Sequence, residues 1–166
     1  AGGTAGGNAQ TCKVTLPSSW LRELGICEDA RDVVLSFDGD RICIAPKCSG
    51  EQFAARKKTL GHAVKRISYY DQTQLCSTIF ADFTDQTLVA ENHVEDFVKT
   101  AFGNHQTPDW SDFMTFLSSR CIPSRRAGLR EYLEAIGVGG YDPMEIIQKT
   151  QGRMAEDQQW VCVEEL

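Results

Sequence analysis

The sequence predicts an α+β chain made of two units, and three observations carry that expectation. Residues 12–46 run in the order strand, short helix, hairpin. Residues 64–92 are rich in β-branched and aromatic side chains interrupted by turn dipeptides. From Thr107 onward the apolar period becomes helical. A chain of 166 residues is long enough for one medium domain or two small ones.

The opening AGGTAGGNAQ has no apolar face and reads as a flexible arm. Cys12-Lys13-Val14-Thr15-Leu16 alternates as a strand and stops at Pro17, which cannot donate to a central ladder. Ser18 or Ser19 is placed to cap a short helix whose apolar positions are Trp20, Leu21 and Leu24, with Gly25 ending it. Val33, Leu35 and Phe37 form the next strand, Asp38-Gly39-Asp40 a tight turn, and Ile42 and Ile44 the return strand, closed by Pro46. About 35 residues cannot bury a core alone, so association of two copies is the expected remedy.

Residues 48–63 are polar and basic, with a short helix expected around Phe53, Ala54 and Ala55, and read as the boundary between the units. Three antiparallel strands follow: Val64–Tyr70, Leu75–Phe83 and Thr87–Glu91. Thr107-Pro108-Asp109 is a helix start, with the Thr107 hydroxyl placed to cap it, Pro108 at its first position and Asp109 in its first turn, and Trp110, Phe113, Met114 and Leu117 on one face. Ser124 is placed to cap a second helix that buries Leu129, Tyr132, Leu133 and Ile136 and ends at Gly137. Asp142-Pro143 starts a third, which carries Met144, Ile146 and Ile147. The second unit, residues 64–166, is thus expected to be a small antiparallel sheet with helices.

Charge separates the units further. The net charge is −6, which argues against non-specific coating of nucleic acid. Residues 1–50 balance at −1, residues 51–70 at +4 and residues 71–166 at −9. No window approaches the roughly 18 apolar residues of a membrane span, and no apolar export signal opens the chain, so the expectation is a cytoplasmic protein without a membrane partner. Seven cysteines, an odd number with no CxxC pair, point to buried thiols and not to a disulfide framework or a zinc site.

The run Val14-Thr15-Leu16-Pro17-Ser18-Ser19-Trp20-Leu21-Arg22-Glu23-Leu24-Gly25-Ile26, followed by Glu28-Asp29, strand, Asp38-Gly39-Asp40 and strand, resembles the swapped-hairpin DNA-binding domains of the AbrB/MazE/SpoVT type. The resemblance covers about 36 residues of the chain. It implies an intertwined dimeric β-barrel formed through residues 11–46 of two copies, with DNA bound on one face of the dimer. It places Arg22 where the family carries a DNA-contacting arginine and Lys13 on the basic first strand. Arg31 and Arg41 complete the DNA-binding set expected for the unit. Leu21 stands at a helix position that is basic in some relatives.

In the second unit, Leu75–Phe83 and Lys149–Trp160 resemble segments of gut Firmicutes proteins and their mobile elements that carry no assigned activity. That resemblance implies a setting and no reaction.

Four constellations bear on chemistry. Asp82, Asp85 and Glu91 flank one hairpin and offer hard oxygen ligands, though turn capping explains such acids more simply. Cys121 with His93 or His105 is a thiol–imidazole combination that nothing local activates. Lys149-Thr150-Gln151-Gly152-Arg153 lacks the leading glycine and preceding strand of a phosphate loop and reads as a helix end capped by Gly152. Arg120, Arg125, Arg126 and Arg130 make a basic patch in an acidic half, readable as an anion or nucleic-acid contact or as pairs with Glu131 and Glu134. No catalytic residue, metal or cofactor is expected.

Two function classes follow. One is a dimeric transcriptional regulator, autoregulatory or antitoxin-like, whose second unit binds a partner. The other is a mobile-element inhibitor of a host nucleoprotein, such as an anti-CRISPR protein on a Cas nuclease, with the acidic residues 71–166 engaging a basic channel. A hydrolase with an appended DNA-binding unit would need a catalytic motif, and the sequence offers none.

Overall fold

Described in the computed structural model are residues 13–24, 26–28, 31–37, 39–105 and 107–166. The chain divides into two compact units, residues 1–47 and 48–166. Both are α+β in character, with one antiparallel sheet in each.

In the first unit, helix α1 (Ser18–Glu23) starts after Pro17, and no side chain caps it. Neither Ser18 nor Ser19 takes the capping role expected of it, because Pro17 itself occupies the N-cap position. Strands β1 (Val33–Phe37) and β2 (Ile42–Pro46) form a hairpin, and Gly39 supplies the positive φ of 101° at its turn. Residues 13–17 form no strand, contrary to the alternation of Val14 and Leu16. A strand needs a ladder partner, and among the described residues β1 and β2 pair with each other and not with residues 13–17. The predicted Gly-rich arm, Cys12, Gly25 and Asp38 lie outside the described residues. Among the described residues the strands of the single chain form no closed barrel.

The hairpin register has a physical consequence. Val33 faces Pro46, Leu35 faces Ile44, and Phe37 faces Ile42. With side chains alternating at period two, these six residues share one face. That face is wholly apolar. Leu35 is 63% exposed, and Phe37 and Ile42 are each 69% exposed. None of the described residues from 13 to 47 is buried.

The second unit is organised around a four-stranded antiparallel sheet in the order β5-β4-β3-β6, with β3 Val64–Asp71, β4 Gln74–Asp82, β5 Thr87–Asn92 and β6 Gln159–Glu165. Strand β6 was not among the predicted elements, although Trp160, Val161 and Val163 carry the composition of one. On one face lie α3 (Trp110–Ser119), α4 (Leu129–Ile136) and α5 (Pro143–Thr150). Phe113, Leu117, Ile146 and Ile147 pack there with Ile67, Ile79 and Val161 in the main core.

Helix α2 (Gly50–Thr59) covers the opposite face, with Phe53 and Ala54 buried on Val64 and Phe80. The short helix expected around Phe53, Ala54 and Ala55 thus spans Gly50–Thr59 and belongs to the second unit. Ser49 and Gln52 close a capping box, and the apolar pair at 53 and 54 docks the helix on the sheet. Two helix starts also differ from expectation. Asp109, not Thr107, caps α3, with its side chain accepting from the Asp112 amide. Helix α4 begins at Leu129 after Gly128, whose φ of 79° turns the chain, so Ser124 caps nothing. Asp142 caps α5 as expected, accepting from the amides of Met144 and Glu145 with Pro143 in the first turn. Gln151, with φ 57°, terminates α5 in place of the expected Gly152.

Candidate functional site

The four arginine and lysine positions expected to meet DNA are all exposed. Arg22 sits in the last turn of α1 and makes no ion pair among the described residues. It lines a shallow recess of about 430 Å³ with Leu21 and Ile26. Lys13 lies in the extended chain before α1. Arg31 is engaged within its own loop: Nε donates to the Glu28 carbonyl at 3.1 Å, and Nη2 lies 3.5 Å from the Glu28 carboxylate. Glu28 therefore pairs with Arg31 and not with Arg22. Arg41 precedes β2 at the end of the turn.

The basic patch of the second unit divides into four different environments. Arg120 is buried. Its guanidinium forks onto Asp157, with Nη1 2.6 Å from Oδ2 and Nη2 3.0 Å from Oδ1, and it donates to the Gly152 and Gln159 carbonyls at 3.0 and 2.9 Å. It also stands 5.8 Å from the Tyr69 ring centroid. Burial opposes its charge, but the Asp157 bonds outweigh burial and raise its pKa further. Arg120 is thus a staple between the end of α3 and β6, and its charge is spent inside the protein. Of the two readings of the patch, Arg120 follows the charge-pairing one, with Asp157 as the partner in place of Glu131 or Glu134. Arg130 pairs along its own helix with Glu134 at 3.0 Å, as the i,i+4 spacing allows. Arg125 is exposed, whereas Arg126 lines a cleft described below.

A charged cluster joins α2 to the β4–β5 turn. Lys57 Nζ lies 2.9 Å from Asp82 and 2.6 Å from Asp85, and His62 Nδ1 lies 2.8 Å from Asp82. Asp82 is fully buried, and its other oxygen accepts from the amides of Thr84 and Asp85. Burial pushes its carboxyl up; the bonds from His62, Lys57 and the two amides overcome this and hold it well below the ordinary carboxylate range. One oxygen of each acid and the His62 nitrogen lie within 4.8 Å of one another, a spacing open to a cation. The Lys57 ammonium already bonds both carboxylates there, so the protein supplies its own counter-charge. Glu91, grouped with these acids on sequence grounds, is elsewhere: its Oε1 accepts from the Gly50 amide at 2.6 Å.

The thiol–imidazole combination is not assembled. Cys121 is buried and its thiol is pushed up to about 11, burial being the main cause and Asp142 a lesser one. His93 instead bonds Thr78 at 2.8 Å, and His105 lies 3.1 Å from Asp112. A buried thiol held protonated is a poor nucleophile.

Sequence reasoning missed Lys57, His62 and Arg153 as members of clusters, because each meets its partners across the fold. The weak signal for Lys57 was a lysine one turn after Phe53 on a helix face that carries an apolar pair. No helix among the described residues is long and apolar enough to cross a membrane. No protein-family model matches the chain, and neither a curated protein nor a solved structure is significantly similar to it.

Proposed function

We propose that this chain is a dimeric DNA-binding regulator, autoregulatory or antitoxin-like, in which residues 11–46 of two copies intertwine into a small barrel. The observation that carries the reading is the uncovered apolar face of the β1–β2 hairpin, together with the absence of any buried residue among the described residues 13–47. A two-stranded hairpin is at best marginal in water without something to cover its apolar side. A second copy offers the same residues in return, and a two-fold contact of this kind is self-complementary.

The dimer doubles each basic group. Two copies of Arg22 and Lys13 on one face meet phosphates on both sides of a groove, and a guanidinium also matches the guanine edge. Arg31 contributes less, because Glu28 already holds it. The acidic second unit adds no affinity for a polyanion, so binding rests on few contacts and is sensitive to salt.

The experiment is a gel shift with the DNA upstream of the chain's own gene, at about 50 and 200 mM salt and with unrelated DNA as competitor. Sequence-preferring binding is expected, weakening with salt by a slope of roughly −0.9 per phosphate neutralised. Arg22→Ala should weaken it and make the salt slope shallower. Equal binding by the wild type and Arg22→Ala, or none at low salt, would leave the first unit a dimeriser without a DNA face.

A further inference from the structure

Between the α3–α4 connection and the end of α5 lies a cleft of about 630 Å³. Its volume falls in the range of sites that enclose metabolite-sized ligands, roughly 300–1,000 Å³. Ile122, Pro123, Tyr132 and Met154 give it apolar walls. Three arginines line it: Arg120 at the end of α3, Arg126 from the connection and Arg153 from the loop after α5.

Their states differ. Arg126 has no ion-pair or side-chain hydrogen-bond partner among the described residues. Arg153 is oriented and not neutralised: its Nε donates to Gln151 at 3.0 Å, and its guanidinium lies 5.0 Å over the Trp160 ring. Arg120 also borders the cleft, but Asp157 takes its charge. Among the described residues Glu156 is the one carboxylate in its wall. The lining therefore carries an excess of positive charge within a half that totals −9.

We propose that this cleft binds a metabolite-sized organic oxyanion, a phosphate monoester or a carboxylate, with Arg126 and Arg153 on its oxygens and the apolar walls against its carbon skeleton. Guanidinium forks match the paired oxygens of either headgroup. A nucleic-acid strand fits less well. A polyanion would also meet the net charge of −9 carried by residues 71–166, whereas one small anion inside the recess meets a lining in which arginines outnumber the carboxylate. The proposal is independent of the DNA-binding reading and survives its failure.

The test is an amide NMR titration of the full chain with phenyl phosphate, with benzoate, and with neutral benzyl alcohol. Saturable shifts at Gly128 and Gly152 are expected with one or both anions and not with the alcohol, and the stronger of the two anions identifies the headgroup. Arg126→Ala and Arg153→Ala should each weaken binding about tenfold, the loss of one charge-assisted contact. Glu156→Gln, which removes a like charge, should tighten it about threefold, on the scale of an exposed charge interaction. Arg125→Ala, outside the lining, should change nothing. Three results would overturn the assignment: no saturable shift by either anion up to about 20 mM, shifts unaffected by both arginine replacements, or equal binding of the alcohol.

Discussion

Gly50→Ala is expected to destabilise the second unit by about 3 kcal/mol or more, although alanine is the better helix former. A Cβ built at Gly50 would stand 2.0 Å from Phe80 Cδ2 and 2.1 Å from Cε2. Phe80 is 2% exposed and packed under α2 with Phe53, Ala54 and Val64, so the ring cannot swing out into solvent without giving up that packing. The helix must lift instead. Lifting it strains the bond from the Gly50 amide to Glu91 and pulls Lys57 from the two aspartates. On propensity alone the substitution would stabilise by up to about 1 kcal/mol, so the sign of the change separates the two effects. Urea unfolding measures it. Phe80→Leu in the Gly50→Ala background should recover part of the loss by removing ring atoms from the contact. A stability equal to wild type in Gly50→Ala would show that α2 is not seated as described.

Arg120→Ala should cost a comparable amount, about 3 kcal/mol, near the lower end for breaking a buried ion pair. The lower end applies because the Asp157 side chain keeps 32% of its surface in contact with water. Four polar partners lose their donor together: both Asp157 oxygens and the Gly152 and Gln159 carbonyls. Among the described residues no buried side-chain nitrogen or oxygen lacks a partner, so the network has no slack to absorb the loss. The same bonds hold β6 against β3, where Tyr69 donates to Gln159. Thermal unfolding of Arg120→Ala beside Arg125→Ala separates the buried guanidinium from its exposed neighbour, which should lie within about 0.5 kcal/mol of wild type. Similar losses in both would contradict the division of the patch.

Much of the second unit was legible because its signals are local. The β-branched and aromatic runs at 64–92 and the Asp142-Pro143 start each specify their own element, and the structure follows them within a residue or two. Elements whose reason is tertiary were harder. Helix α2 has a weak apolar stripe, and only the sheet beneath Phe53 and Ala54 explains its position. Strand β6 follows three helices and finds its place by pairing with β3, some ninety residues earlier. The candidate sites show the same division. Arg22 was singled out by the resemblance alone and lies exposed on its own short helix, while the fate of Arg120 depended on Asp157, 37 residues away. Arg153 was read as part of a helix end, yet it shares a cleft with Arg126 because the α5 turn folds back on the α3–α4 connection.

What covers the apolar face of the β1–β2 hairpin decides whether the chain acts as a dimer, and the mass of the full chain in solution tests this most directly. Sedimentation equilibrium at micromolar concentration should return twice the 18.4 kDa of one chain. Phe37→Asp, which places a charge on that face, should return a single chain while leaving the second unit folded. A wild-type protein that sediments as a monomer would contradict the account.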